Sequence, residues 1–310
     1  MEVIYKKGSC KRGELFDVLV SKFVEGGWKI LEDESGHKNY RVVLHSKGSL
    51  GNTPMYIGLY PYAGTNVQGN DSYNIKTSRY CNGYFSIFND WDFNQKVNIS
   101  TISGTHRLNF INGESSLSSS YSMTLSTEIP IEYYYYCDLD RVVFIAIPDV
   151  VKCKQDNSSA DSSPIVHFFG IPEETYLQEK NVPSYSCVIH AGSSTSHSKS
   201  KYLICNKPAA LLDTAAYEMS FSYFDGWPGP ADGGAGAGPM MLTDYYLDDS
   251  QTGLRAKLGF IYSFVPNGKI TKDDTIELDA EIGKQVYKPL FTSSSYYSSF
   301  PRTTLAIRIE

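Results

Sequence analysis

The sequence predicts a mainly β protein of the α+β kind. Antiparallel, sandwich- or barrel-like sheets carry one N-terminal amphipathic helix and one or two short helices. Three observations lead there. The composition is rich in Tyr, Ser and Gly, with 24 Tyr and 15 Phe, at positions where Ala, Leu, Glu and Lys are usually common; that shift favours strands. Short apolar or alternating runs recur between clusters of Gly, Asn, Pro and Ser. Only one stretch carries a strong helical period.

The chain has 310 residues, room for one large or two medium domains. A chain of this size buries roughly 75% of its unfolded surface, so it requires no disulfide or metal staple. With 41% hydrophobic and 20% charged residues it belongs among folded globular proteins.

The helical stretch is GELFDVLVSKFVEGG. Phe16, Leu19, Val20 and Phe23 fall at i, i+3, i+4 and i+7, and Glu14, Asp17, Ser21 and Lys22 lie elsewhere on the wheel. Gly26 and Gly27 end it. The apolar stripe reads as a core-facing surface. Strands follow after Trp28, in WKIL, YRVVLH, MYIGLYPY, RYCNGYFSIF, KVNISTI, HRLNFI and SMTLSTEIPI, and then in EYYYYCDLDRVVFIAI. Residues 151–163 are polar and read as a loop or linker. The chain is thereby expected to divide into a helix-plus-β domain over 1–150, that linker, and a second β-rich half over 164–310 that packs on the same core.

In the second half PIVHFFGI, YSCVIHAG and KYLICN read as strands, and PEETYLQEK and PAALLDTAAYEM as short helices. LGFIYSFVPNGKI, DTIELDAEI, KQVYKPLFTS and TTLAIRIE close the chain, with Pro266-Asn267-Gly268 as turn chemistry. In the last run Leu305, Ile307 and Ile309 face one way and Ala306, Arg308 and Glu310 the other, the pattern of a half-buried strand.

Charge and cysteine usage narrow the classes. The net charge is −6 and the pI about 5.6. Lys6, Lys7, Lys11 and Arg12 form the longest basic cluster and read as a solvated strand end, so nucleic acid is not an expected partner. The six cysteines, at positions 10, 81, 137, 153, 187 and 205, show no CxxC and no repeated spacing, which favours reduced thiols and assembly in cytoplasm. MEVIYKKGSC holds no apolar stretch of signal-peptide length, and no window approaches a membrane span. The sequons at Asn70, Asn98 and Asn157 therefore carry little weight.

The motifs of chemistry break down one by one. In WPGPADGGAGAGPMM, Gly229 and Gly234 have P-loop glycine spacing, but Ala235 stands where the lysine must be. The dinucleotide pattern fails at Pro239. A mobile loop, open to being ordered against a neighbouring chain, is the expectation for 227–241. His37, His45, His106, His167, His190 and His197 lack zinc spacing. Asp90, Asp92 and Asn94 mimic half a calcium loop, yet Gln95 replaces its glycine and Thr101 its bidentate Glu. Ser196 and Lys199 form an SxxK within a low-complexity polar stretch. Asp138 with Asp140, and Asp273 with Asp274, read as turn residues. No residue is assigned as catalytic, cofactor-binding or metal-binding, and no cofactor is expected.

The four tyrosines pose a sharper question. On a strand, Tyr133 and Tyr135 share one face and Tyr134 and Tyr136 the other. The run is thus split between faces, which argues against a flat stacking platform for sugars or bases. VVFIAI is apolar on both faces, as in a strand covered twice.

The order of these segments resembles a group of tailed-bacteriophage virion proteins. In that group an early tryptophan precedes an apolar strand ending in Ser-x-Gly, with a second Gly before an aromatic strand. Trp28 and RVVLHSKGSLGNTPMYIGLY, with Ser46, Gly48 and Gly51, match it. EYYYYCDLDRVVFIAI fits its aromatic strand, break and Arg-led aliphatic strand, with Tyr135 and Tyr136 where a tryptophan is expected. HFFGIPE, with Phe169 and Gly170, approximates its next element. GLRAKLGFIYSF, KDDTIEL, VYKPLF and LAIRIE resemble its closing order. The likeness spans most of the chain and brings no catalytic residue with it.

The resemblance implies a structural virion component of tail, neck or baseplate, present in several copies. Its expected partners are copies of itself and other virion proteins, with neither nucleic acid nor membrane, in a particle assembled in the host bacterial cytoplasm. Two rival readings are a receptor- or carbohydrate-binding tail protein that exposes tyrosines, and a glycan-cleaving enzyme. The latter needs two carboxylates about 5–10 Å apart in a cleft.

Overall fold

The structure is a computed structural model. It describes residues 3–33, 41–61, 82–101, 106–109, 125–156, 164–175, 185–190, 200–204, 218–219, 242–249, 253–264, 273–280, 283–290 and 304–310. In chain order these form β1 (Lys6–Lys11), a 3-10 turn (Arg12–Glu14), α1 (Leu15–Glu25), β2 (Lys29–Asp33), β3 (Val42–Ser46), β4 (Met55–Tyr60) and β5 (Asn82–Asp92). Next come β6 (Val97–Thr101), β7 (His106–Asn109), β8 (Pro130–Cys137), β9 (Arg141–Pro148), α2 (Val150–Asp156), β10 (Ile165–Gly170) and β11 (Glu174–Thr175). The rest are β12 (Tyr185–His190), β13 (Ser200–Ile204), β14 (Glu218–Met219), β15 (Thr243–Asp249), β16 (Gly253–Phe264), β17 (Ile276–Ala280), β18 (Gly283–Leu290) and β19 (Thr304–Arg308).

All described pairings are antiparallel and build three sheets. The central sheet runs β1-β8-β9-β10-β12-β13-β14; an N-terminal sheet runs β2-β3-β4-β5-β6 with β7 beside β5; a C-terminal sheet runs β11-β16-β19-β18-β17 with β15 beside β16. The mainly β expectation holds. The central sheet takes strands from both sides of residues 151–163, so the two halves of the chain share one sheet. Within that stretch α2 forms where a loop is expected. Asp149 caps it by accepting from the amides of Val151 and Lys152 at 2.9 and 3.0 Å, and Cys153 is fully buried beneath it.

The doubly apolar run explains the layering. On β9, Val142, Phe144 and Ala146 enter one core with α1, β3, β4 and β5. Val143 and Ile145 enter a second core with Val166, Phe168, Leu258, Ile261, Leu290 and Ile307. The central sheet is therefore the middle of three stacked layers. The tyrosines divide as the period of two requires: Tyr133 and Tyr135 join the first core, and Tyr134 and Tyr136 pack with the second. β19 differs from the expected half-buried strand. Ile307 lies in the second core, and Ala306 is buried on the opposite face with Ile276 and Tyr287.

The helix forms as its spacing predicts, with Leu15, Phe16, Leu19 and Phe23 buried. Its end is a Schellman motif: Trp28 N–H bonds Phe23 C=O and Gly27 N–H bonds Val24 C=O, each at 3.0 Å. Gly27 takes φ +92°, which a glycine adopts without a Cβ clash. The accompanying apolar contact is the edge-on packing of Phe23 and Trp28, with ring centroids 5.0 Å apart.

Two other expectations need correction. Residues 125–129 are not strand, because their carbonyls serve Arg12 and its neighbours. Arg12 Nε donates to Ser126 O at 2.9 Å and Nη2 to Leu125 O at 3.0 Å, and the Arg12 and Gly13 amides bond Ile129 O and Thr127 O. Arg12 is therefore buried, not part of the solvated strand end where Lys6, Lys7 and Lys11 lie exposed. Residues Glu174 and Thr175, inside the expected helix PEETYLQEK, instead pair with Lys257 and Ala256 as β11. Residues 176–180, the rest of that run, lie outside the described residues, as do 208–217 of PAALLDTAAYEM, the turn 266–268, the segment 227–241, and Ser196 and Lys199.

β1 is an edge strand of the central sheet and carries a glycine where a neighbour needs space. Gly8 pairs with Tyr133, whose ring occupies the position of any Cβ and stacks on Phe144 at 5.2 Å. A valine at position 8 must push this packed ring aside. Gly8→Val is expected to cost about 1–3 kcal/mol through overpacking, read as a lower denaturant midpoint at unchanged slope. An unchanged midpoint would show that the ring moves freely.

The end of α1 is tied to this edge by charge. Glu25 accepts from Lys6 at 2.7 Å, Lys22 at 3.0 Å and the Tyr135 hydroxyl at 3.1 Å. The Lys6 hydrogen bond is the main reason that the Glu25 carboxyl is held at about 2, below its ordinary 4.5. A depressed carboxylate stabilises the fold above its unfolded pKa, and that contribution fades as pH falls from about 4.5 towards 2. The group is partly exposed and screened, so the contribution is about 0.5–1 kcal/mol. Melting curves from pH 6 to pH 2 should show Glu25→Gln less stable at neutral pH, with the gap closing in acid; parallel curves would exclude this linkage.

Candidate functional site: the Asp138–Arg141 turn

The tight break between β8 and β9 gathers hydrogen bonds from several distant segments. Asp138 folds it. Its Oδ1 accepts from the amides of Asp140 and Arg141 at 2.8 and 2.7 Å, and Oδ2 accepts from the Tyr136 hydroxyl at 2.7 Å. Such a side-chain-to-backbone turn is what Asp favours between strands. The Asp138 amide closes it on Arg141 O at 2.9 Å. Burial, and then the bond to Asp138, drives the Tyr136 phenol well above its ordinary range.

Three other segments fasten onto this turn. The Schellman motif places Trp28 so that its indole N–H donates to Asp138 O at 2.9 Å, and Gly26 lies directly against the Asp138 backbone. From the loop after β3, Ser46 Oγ donates to Leu139 O at 2.6 Å and accepts from the Gly48 amide at 3.1 Å. The Ser49 amide and hydroxyl both reach the Asp140 carboxylate at 2.7 Å. From the end of β10, Ile171 N–H donates to Asp140 O at 2.9 Å, and Gly170 passes within van der Waals range of Arg141. The C-terminal sheet arrives last: Arg141 lies 4.8 Å from the Phe260 ring, a cation–π contact.

Of the residues quoted for the motif order, Trp28, Ser46, Gly48, Arg141 and Gly170 come to this turn, where Asp138 of the break receives them; Gly51 has nothing within 4 Å of a Cβ. Those that converge are scattered over more than 140 positions of the chain. Each is spent on a backbone group or on close packing. The constellation is a fastening point that holds the N-terminal layer, α1 and the C-terminal sheet to the central one. Asp138 and Asp140, weighed as a carboxylate pair, are turn residues with their oxygens committed to N–H and O–H donors.

The other candidates fall elsewhere. Asp92 Oδ1 accepts from the Asn94 and Gln95 amides at 2.8 and 3.0 Å and shapes the turn from β5 to β6, while Asp90 Oδ1 accepts from the Trp91 amide at 2.8 Å within β5. His45 is buried against Tyr56 at 4.4 Å with Nδ1 3.0 Å from Met55 O, and burial lowers its pKa. His167 is fully buried and stacks 6.0 Å from Phe169. Among the described residues no group of three or more His, Cys, Asp or Glu is arranged to hold a metal, and no helix is long and apolar enough to cross a membrane. Sequence reading missed Arg12 as a buried clamp. Its signal was a charged residue immediately before an amphipathic helix, indistinguishable from the solvated lysines beside it.

The fold and this turn define a three-layered antiparallel β protein locked at one junction. No family model and no curated protein matches the chain.

Proposed function

We propose that the protein is a structural component of a bacteriophage virion, assembling in multiple copies in the tail, neck or baseplate through its subunit interfaces. The observation that carries this reading is the convergence of Trp28, Ser46, Gly48 and Gly170, quoted from separate motifs, on the Asp138–Arg141 turn. A resemblance made of structural residues is most informative when those residues do structural work together, and here they join three sheets. The partners are copies of itself and other virion proteins, in a particle assembled in the host bacterial cytoplasm.

A glycan- or receptor-binding role requires exposed rings. In the four-tyrosine run, Tyr133, Tyr134 and Tyr135 are at most 8% exposed and Tyr136 bonds Asp138, so that run supplies no platform. The proposal is tested by electron microscopy of the purified protein, together with mass spectrometry of the parent particles. Symmetric multimers and a place in the virion are expected; a monodisperse monomer absent from particles overturns it.

A further inference from the structure

Beside the fastening turn, the layer between the central and C-terminal sheets buries polar atoms without partners. Tyr5 is 4% exposed and its hydroxyl makes no hydrogen bond; Arg141 Nε and Nη1 are likewise buried and unpartnered. Buried donors in folded proteins are otherwise nearly always paired, with protein, water or a ligand. These residues share one cluster. The Tyr5 ring is 6.4 Å from Tyr136, Tyr136 is 5.7 Å from Phe260, and Phe260 lies 4.8 Å from Arg141.

The backbone here is bent for the purpose. Phe260 has φ +69°, a left-handed conformation that bulky side chains avoid. It sits where β16 bulges: Tyr262 pairs with Asp244 and Lys257 with Tyr246, so four residues of β16 oppose one of β15. The bulge brings the Phe260 ring to Arg141. Strain of this kind persists only where the surroundings enforce it, and it concentrates at ligand clamps.

The chemistry of the donors selects the ligand. A guanidinium only donates, and a phenol can donate. The nearby acid, Asp138, already accepts from two amides and from Tyr136. Burial, reinforced by the neighbouring Tyr262 hydroxyl, pushes the Tyr5 phenol far up, and the Arg141 charge pulls it back. Arg141 is half-buried, and its two enclosed nitrogens, Nε and Nη1, call for an acceptor. We propose that Tyr5 and Arg141 form a binding site for a small monovalent anion of halide size, which bridges the central and C-terminal sheets.

Thermal melts of the full chain, with bromide replacing gluconate at constant ionic strength, test this. The melting temperature should rise by about 5 °C as bromide saturates the site. Tyr5→Phe, which removes only the hydroxyl, should move the required bromide concentration upward by about tenfold. Arg141→Met should abolish the dependence; should that variant not fold, Arg141→Lys must at least displace it, because its ammonium cannot reproduce the guanidinium geometry. Crystals grown in bromide should give an anomalous peak between Tyr5 and Arg141. The site is disproved by a melting temperature indifferent to bromide, by an unchanged dependence in both the Tyr5 and Arg141 variants, or by a water at that position without anomalous signal.

Discussion

Gly170→Ala should unfold the protein more readily than any other single methyl addition considered in the described core, by about 3–5 kcal/mol. Two costs combine. Gly170 has φ +118°, which only glycine adopts without strain, at about 1–3 kcal/mol for another residue. A Cβ would also strike the Asp140 carbonyl oxygen and come within 2.7 Å of Arg141 Cα. Both obstacles are backbone, so no rotamer change relieves them, and overpacking adds a similar amount. The residue pairs with Arg141 across β9 and β10 and precedes the Ile171–Asp140 hydrogen bond. Yielding there would loosen the fastening turn. Against a typical stability of about 5–15 kcal/mol, this is a large fraction. Urea unfolding of the purified variant decides the matter; a midpoint close to the parent's would mean that the turn shifts without cost.

Asp138→Ala is expected to cost about 2–4 kcal/mol. It removes the acceptor for the Asp140 and Arg141 amides and for the Tyr136 hydroxyl, all partly buried. Leaving buried donors unpaired costs about 1–3 kcal/mol, more than a net hydrogen bond contributes. Asp138→Asn retains one oxygen and should lose about half as much. Freed of its acceptor, Tyr136 should also titrate closer to the ordinary phenol range, since the bond to Asp138 raises it. Ultraviolet titration of the tyrosines checks the second point independently of stability. If Asp138→Ala and Asp138→Asn were equally mild, the turn would be held by Trp28, Ser46, Ser49, Ile171 and its own backbone bond.

Much of the fold is legible in local patterns. The 3.6-residue spacing of Phe16, Leu19 and Phe23 set α1, and the period of two divided the four tyrosines between two cores. VVFIAI announced a strand covered on both faces. These signals survive because burial acts on each residue through its neighbours in sequence. At 151–156, expected as loop, and at 174–175, expected as helix, the local pattern misleads for the opposite reason. α2 owes its start to a single Asp149 cap and its place to one buried cysteine, and β11 exists only because β16 offers two free positions. Residues 122–131 look like one strand, yet Arg12, more than 110 positions earlier, takes the carbonyls of 125 and 126.

By itself the sequence determined the class of fold, the single long helix and the central strand pair, because hydrophobic periodicity and turn residues act over a few positions. Tertiary structure alone decided that Trp28, Ser46, Asp138, Gly170 and Phe260 meet at one turn, and that the Tyr5 hydroxyl and two Arg141 nitrogens are enclosed beside it without hydrogen bonds. Those are matters of distance between strands far apart in the chain, where hydrogen bonds and steric limits operate at a few ångströms and leave no periodic trace.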